Sequence, residues 1–464
     1  MKAEITQFKP SLRLMDATML VAGSMIGSGI FIVSADITRN VGSSGWLMVV
    51  WLLTGFMTLT AALSYGELSA MFPKAGGQYI YLKEAYNPLV SFLYGWSFFM
   101  VIQTATIAAV GVAFAKFTAY LIPMFNEDLV AIGIIVLLTY INSKGVNSGR
   151  IIQTTFTLTK LLSLFGLIVF GLIFLDKEVW INNWKNAWVL QPLSINGVAG
   201  TYTTMAAFGA IAAAMVGSIF SSDSWHNVTF IAGEIQNPKR NIGLSLALGT
   251  IIVTVLYLLT NIMYTSVLSL HDMAYADKDR VAVTASQVIF GSWGTVIIAL
   301  MIMISTFGCN NGLIMAGARV YYSMAKDGLF FKRVGTLNKN AVPAFGLWIQ
   351  CLFACLWCLS GQYGDLLDMI SFVVVMFYML TIAGIFILRK KRPDADRPYK
   401  AFGYPFLPLI YMVMGFAFCT LLIIYKPNYT WPGLIITLLG IPVYYVIEKF
   451  KNKTLWRIFP FLQP

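Results

Sequence analysis

Charged residues vanish from this sequence for long stretches, and the stretches recur along its whole length. Uncharged runs cover 17–35, 40–66, 85–115, 129–143, 186–222, 241–271, 281–318, 340–364, 369–388, 401–425 and 427–447, and 151–175 joins them with one interruption, Lys160. A helix needs ~20 residues to cross the hydrocarbon of a bilayer. The windows therefore predict an all-α membrane protein with 12 transmembrane helices. The run 129–143 is short and spans only with Glu127 and Asp128 at the interface. Composition agrees: 58% of residues are apolar and 11% charged, whereas a soluble domain carries about 25% charged residues. Disordered, coiled-coil, collagen-like and disulfide-scaffold classes are excluded on the same grounds.

The basic residues set an orientation. With a cytoplasmic N-terminus and alternating spans, 24 of the 32 Lys and Arg fall inside, seven outside, and Lys160 within a span. The net charge of +12 is then a topology signal for a multi-pass protein of the cell membrane, inner or plasma, with both termini cytoplasmic. It is not a nucleic-acid footprint, because no basic stripe sits on a soluble domain. The N-terminal MKAEITQFKPSLRL lacks the apolar region and cleavage site of a signal peptide, so the first span is expected to direct insertion. Cys309, Cys351, Cys355, Cys358 and Cys419 all fall in apolar windows. The pair Cys355 and Cys358 has no second pair or nearby His, so the cysteines read as packing residues, and no metal or cofactor is expected.

No extramembrane segment is long enough to be a domain, so residues 1–464 form a single transmembrane domain. The stretch 176–197, with Trp180, Trp184 and Trp188, reads as an interfacial belt. The basic, Pro-rich stretch 389–408 is either a headgroup-binding arm or a linker that only anchors and orients its neighbours.

Two spans are interrupted near their middles. Span 1 holds Gly23-Ser-Met-Ile-Gly27-Ser-Gly29, and span 6 holds Gly217-Ser-Ile-Phe-Ser-Ser-Asp-Ser-Trp225. They lie five spans apart, so one must run opposite to the other, the mark of an inverted five-plus-five repeat. The first repeat then covers 12–175, the second 199–389, and spans 11 and 12 follow over 401–450.

Glycine costs a helix about 1 kcal/mol relative to alanine, so three together favour unwinding. Backbone groups freed at bilayer depth must face protein, water or a ligand, and a half-helix N-terminus suits a carboxylate. Close helix packing through Gly23 and Gly27 is the competing reading. In span 6, Ser221, Ser222 and Ser224 compete locally with helix geometry. Asp223 is an ionisable group near mid-membrane. It either accepts from a substrate ammonium or from freed N–H groups, or caps the second half-helix without touching substrate. Phe220 and Trp225 serve as a gate or as packing, and His226 as a titrating group or a structural donor. Lys160 lies ten residues from Arg150 and sixteen from Asp176, too deep to snorkel easily. A lysine there pairs with carbonyls or acids, or loses its proton. Beside the carbonyls of a broken helix it would act as a bound sodium ion does, and it could also carry a proton. The alternative is a lysine snorkelling from the bundle exterior.

The same residues carry a family resemblance. Gly23 through Phe31 resembles the span 1 signature of the amino acid–polyamine–organocation superfamily. Tyr65-Gly-Glu-Leu with Pro73 through Tyr79, Phe220 through Trp225 with Gly233 through Pro238, and Ser305 through Gly312 with Arg319, Asp327 and Gly328 resemble further motifs of it. The similarity runs over roughly 11–450 and is nearest to the L-type amino acid transporter branch, in a prokaryotic-like form. It implies a leucine-transporter-like fold with spans 1 and 6 broken at mid-membrane, and alternating access around a central site. Ser24, Met25, Ile26, Gly27, Ser28 and Gly29 would bind the substrate carboxylate through backbone N–H groups. Phe220, Ser221, Ser222, Asp223 and Trp225 would form the other side, with carbonyls of Phe220, Ser221 and Asp223 on the amino group and Phe220 closing the site from outside. Lys160 would replace a sodium ion, bridging span 1 to Ser305 and Thr306 on span 8. The family often has Gly-Gly or Asp-Gly before the tryptophan, and Asp223-Ser224 departs from that, leaving side-chain specificity open. The loop 122–128 contains no Cys, so no disulfide-linked heavy subunit is expected.

The expected function is secondary active transport of neutral L-amino acids, independent of sodium, by exchange (an antiporter) or proton coupling. A cationic amino acid or polyamine carrier is the alternative that Asp223 motivates. A polytopic enzyme would need a catalytic cluster, yet the chain has two His and no H-E-x-x-H. A channel would show neither paired interruptions nor a mid-span lysine.

Overall fold

The computed structural model describes residues 10–194, 197–198, 200–359 and 363–451. The chain enters through α1 (Leu14–Met25), the one-turn α2 (Gly29–Ile32) and α3 (Ser34–Val41), then α4 (Ser44–Met71), α5 (Gln78–Ala85) and α6 (Pro88–Ser97). A π-helical turn, Phe98–Ile102, joins α6 to α7 (Gln103–Leu121), followed by α8 (Glu127–Ser143), α9 (Val146–Ile173) and α10 (Lys177–Lys185). A small antiparallel hairpin, β1 (Leu193–Ser194) and β2 (Gly197–Val198), precedes α11 (Thr204–Ser221) and the one-turn α12 (Asn227–Phe230). Then come α13 (Pro238–Val267), α14 (Leu270–Ala274), α15 (Val281–Lys326), α16 (Ala344–Cys358), α17 (Tyr363–Lys391), α18 (Phe406–Tyr425) and α19 (Pro427–Lys451).

Among the described residues, ten helical stretches are long and apolar enough to cross a membrane. The remaining two of the expected windows hold shorter helices, α8 with 17 residues and α16 with 15. At 1.5 Å per residue these reach about 25 and 22 Å, short of the ~30 Å hydrocarbon layer. Asn126 starts α8 by accepting from the Leu129 amide at 3.0 Å, and Glu127 and Asp128 lie in its first turn. The uncharged run 281–318 is longer as a helix than as a window: α15 continues to Lys326, with a non-helical residue at Gly291 (φ 66°). Arg319 ends the run in sequence without ending the helix. It is buried, and its Nε lies 3.2 Å from Glu234 Oε1. Leu244, Leu248, Ile251 and Val255 form an exposed apolar stripe along α13, as a lipid-facing surface requires.

One end of the bundle is tied by motif residues. Ser11 and Leu12 amides donate to Glu234 O at 2.8 and 2.9 Å, and Gln236 returns a bond to Leu12 O. Tyr79 OH donates to Asp327 Oδ2 at 2.8 Å and Lys83 to Oδ1 at 2.7 Å. Burial, with Asp327 beside it, pushes the Tyr79 phenol well up, so it remains a donor. The basic linker after α17 is folded onto the same end. Buried Glu67 of α4 receives Arg389 (3.0 and 2.7 Å) and the Ala401 amide (2.7 Å), and lies 3.4 Å from Arg397 Nε. Arg392 pairs with Glu84, and Lys391 donates to Ala85 O. Of the two readings of 389–408, anchoring through protein is the one these contacts support, because Glu67 and Glu84 take up the charges of Arg389, Arg392 and Arg397.

Helix α1 packs against α9, α13 and α15, and α11 against α3, α4, α17 and α18. The two lines meet where side chains are smallest. A Cβ at Gly29 would lie 1.9 Å from Ser221 Oγ, and one at Gly217 would lie 2.8 Å from Val33 Cβ. Glycine is therefore required at both positions for α2–α3 to reach α11. Polar bonds reinforce the bundle: Thr54 to Ser218 at 2.6 Å, and Ser34 to Asn261 at 2.8 Å.

Candidate functional site

The first interruption follows Met25. The Ile26 amide still reaches Ala22 O, but the Gly27 amide folds back onto Met25 O, both at 2.9 Å. Ile26 sits at φ −75°, ψ 90°, close to an inverse γ-turn. Helix resumes at Gly29. A break of this kind strands carbonyls, and here five consecutive ones each receive a side-chain donor. Lys160 Nζ donates to Gly23 O and, at 2.5 Å, to Ile26 O. Cys309 Sγ reaches Ser24 O at 3.1 Å, and Tyr257 OH reaches Met25 O at 3.0 Å. Ser305 Oγ lies 3.2 Å from Ile26 O and 3.4 Å from Gly27 O. The donors come from α9, α13 and α15, and Lys160 is 1% exposed, inside the bundle and not snorkelling from its exterior. Ser305 thus joins Lys160 on the turn. Thr306 does not: its hydroxyl donates to Ile302 O and Met303 O of its own helix, at 2.9 and 3.0 Å.

The second interruption follows Ser221. The Ser222 amide reaches Ser218 O at 2.9 Å, and the Asp223 amide reaches Phe220 O at 3.2 Å. Ser221 Oγ bonds back to Gly217 O at 2.7 Å, and Ser221 O accepts from Tyr257 OH at 3.0 Å. Tyr257 therefore bridges the two interruptions with one hydroxyl. Of the carbonyls expected on a substrate amine, those of Phe220 and Ser221 thus already hold protein donors. Ser224 turns the chain at φ 65°, a left-handed conformation that costs a residue with a Cβ about 1–2 kcal/mol. In the family motif that this stretch resembles, glycine often stands at this position. Asp223 Oδ1 accepts from Tyr378 OH of α17 at 2.5 Å, and the same hydroxyl lies 2.6 Å from His226 Nδ1. His226 stands at the N-cap of α12 and makes no side-chain cap. Trp225 is buried against Tyr65 and Tyr378, with ring centroids 4.8 and 5.2 Å apart. A cavity of about 20 Å³, enough for one water, is lined by Ser222, Asp223, Trp225, Tyr378, Thr58 and Tyr411 among others.

Ser24, Met25, Ile26, Gly27, Ser28, Gly29, Phe220, Ser221, Ser222, Asp223 and Trp225 are all buried at or beside these two turns. The amides of Ile26 and Gly27 are used within the first turn, and the helix that resumes at Gly29 presents its own N-terminal amides after it. Tyr257, Tyr378 and Cys309 enter as contacts that sequence reasoning did not assign. The two tyrosines sit inside uncharged runs as ordinary aromatics, and Cys309 read only as packing. Among the described residues, no group of three or more His, Cys, Asp or Glu is placed to hold a metal ion.

Known proteins are similar in sequence over nearly the whole of this chain. The chain is 29% identical to the serine/threonine exchanger SteT of Bacillus subtilis (strain 168), over 97% of this chain and 100% of that protein. It is 28% identical to the b(0,+)-type amino acid transporter 1 of Mus musculus, over 96% of this chain and 89% of the relative. It is also 28% identical to the human large neutral amino acids transporter small subunit 2, over 96% and 82% of the two chains. The family profile described as amino acid permease covers residues 12–447, on both sides of each interruption, so the chain belongs to the amino acid permease family of the amino acid–polyamine–organocation superfamily.

Proposed function

We propose that this permease carries neutral L-amino acids across the cell membrane by alternating access, independent of sodium, in exchange for a second amino acid or together with protons. The observation that carries the reading is the first turn: a fixed lysine ammonium sits on Gly23 O and Ile26 O, where a carbonyl-coordinated cation would sit. A protein that supplies this charge covalently has no need of a sodium ion there. The helix beginning at Gly29 directs its N-terminal amides at a substrate carboxylate. The carbonyl of Asp223, with those of Phe220 and Ser221 once their present donors are released, would face the amine, with Ser222, Trp225 and the Phe220 ring beside it. Lys160 and Ser305 couple the turn to α9 and α15, while the Thr306 hydroxyl stays on its own helix. The Asp223 carboxylate, which motivated a cationic substrate, is held by Tyr378, and this favours a neutral one.

In this reading α8 and α16 also cross the bilayer, for 12 spans in an inverted five-plus-five arrangement with the two repeats over 12–175 and 199–389. The α1–α2 and α11–α12 pairs are its broken spans 1 and 6, and both termini are cytoplasmic. No disulfide-linked heavy subunit takes part through the loop 122–128, which has no Cys. The test is uptake into proteoliposomes, screened over the twenty amino acids, preloaded and empty, with and without sodium. Sodium-independent uptake of neutral amino acids is expected, and strict sodium dependence refutes the reading of Lys160.

A further inference from the structure

The Asp223 carboxylate, the Tyr378 hydroxyl and the His226 imidazole form one continuous chain of hydrogen bonds, 2.5 and 2.6 Å long. All three side chains are buried, at 6%, 4% and 3% exposure. A phenol between a carboxylate and an imidazole has one proton and two partners, so it serves as donor to one and acceptor from the other. With Asp223 ionised, Tyr378 donates to Oδ1 and accepts from Nδ1–H of a neutral His226. With Asp223 protonated, the carboxyl donates to the phenol oxygen, and the phenol donates to a bare Nδ1. Both hydrogen bonds survive in both states, and only their direction reverses.

We propose that Asp223, Tyr378 and His226 form a proton-holding relay that couples proton movement to the transport cycle, an inference that rests on the transport reading above. A proton arriving at His226 Nε2 gives a transient imidazolium. The Nδ1 proton passes to the Tyr378 oxygen while the Tyr378 proton passes to Asp223 Oδ1. The chain ends with a neutral Asp223 and His226 as its Nε2–H tautomer, one proton richer: the Nδ1–H and Tyr378 O–H bonds break, the Nε2–H, Tyr378 O–H and Asp223 O–H bonds form, and no bond between heavy atoms changes. Release runs the same path backwards.

Position suits the role. Asp223 and Ser222 line the small cavity with Thr58 and Tyr411, which gives the carboxyl end a polar contact. The imidazole end packs edge-on against Phe230, with ring centroids 5.0 Å apart. The titratable groups facing the relay are Tyr65 of α4 (5.8 Å ring to ring from Tyr378), Tyr411 of α18, Tyr94 of α6 and Cys309 of α15, with Lys160 of α9 beyond Cys309. The four nearest are weak acids that stay neutral near pH 7, which leaves the carboxylate and the imidazole as the groups that exchange a proton there. Neutralising Asp223 removes the negative charge beside the second turn, next to Ser221, where Gly29 of the first turn makes contact. The two turns are then coupled to one proton.

The experiment uses the full chain in liposomes loaded with a pH-reporting dye, with the amino acid that gives the strongest counterflow. Dye response during net uptake gives protons moved per amino acid, and counterflow into preloaded liposomes is read separately. Wild type should move protons with the amino acid. Tyr378→Phe keeps the ring but breaks the chain, and His226→Asn keeps a hydrogen-bond partner for the phenol but cannot pass a proton. Each should lose the proton signal per amino acid carried, whatever its absolute rate. If one variant fails to insert, the other decides. Wild-type counterflow together with net uptake that moves no protons, or a wild-type proton ratio during net uptake in either variant, overturns the relay alone. Absence of counterflow for every amino acid overturns the transport reading and the relay with it.

Discussion

The turn after Met25 and the turn after Ser221 interrupt two helices that touch, yet they are held by opposite means. The first is built from glycines and brings few polar side chains of its own, so five consecutive carbonyls each take a side-chain donor from outside, on α9, α13 and α15. The second is built from serines and an acid. Ser221 satisfies its own helix through Gly217 O, and Asp223 reaches out to Tyr378. One turn is an acceptor surface that needs a cation, and the other carries an anion that needs donors. Composition at each break therefore decides whether its support is imported or carried along, because an unpaired backbone group is not tolerated in a membrane interior.

Lys160→Ala breaks the comparison most severely. It leaves Gly23 O without its side-chain donor and Ile26 O with Ser305 alone, at a cost of ~1–3 kcal/mol, so uptake should fall ~100-fold at equal membrane abundance. Near-normal uptake would show that the first turn does not depend on an imported cation. Gly29→Ala attacks the point where the turns meet, since the new Cβ would lie 1.9 Å from Ser221 Oγ. Overpacking of ~1–3 kcal/mol should lower both thermal stability and uptake. Adding Ser221→Gly should restore part of each, because the nearest remaining atom would be the Ser221 Cα at 3.0 Å. Failure of that rescue would place the clash elsewhere.

Tyr257→Phe removes the one hydroxyl shared by the turns and should cost roughly 1–3 kcal/mol, read as a lower melting temperature of the purified protein with a several-fold loss of uptake. An unchanged melting temperature would mean that Met25 O and Ser221 O find other donors. Ser224→Gly is the smallest change. It relieves a left-handed residue and should stabilise by up to ~1 kcal/mol with transport retained. Destabilisation would show that the serine hydroxyl contributes more than its backbone strain costs.

Much of the site was legible in the sequence for one reason: a charge or a glycine cluster inside an apolar run has few explanations. Lys160, the Gly23–Gly29 cluster and the Ser221–Ser224 stretch all stood out this way, and the structure brings them together. Thr306 was not separable from Ser305 by type, because both are hydroxyls on one helix turn, and only the direction each faces distinguishes them. Tyr257 and Tyr378 left no trace, since a tyrosine in an apolar window reads like any other buried ring until its hydroxyl has a partner. The linker 389–408 was ambiguous for the converse reason: its charges were visible, but Glu67 and Glu84, more than 300 residues earlier, take them up.

By itself, the sequence determined that this chain is a multi-pass membrane protein, where its long apolar helices fall, and which residues inside them stand out, because the hydrocarbon layer penalises every unpaired charge and every stranded backbone group locally. Only the tertiary structure decided which distant side chains meet those breaks: a lysine and a serine on one turn, an acid, a phenol and an imidazole on the other, and a single tyrosine between them. Hydrogen bonds act over about 3 Å, and residues hundreds of positions apart come within that distance only once the helices have packed.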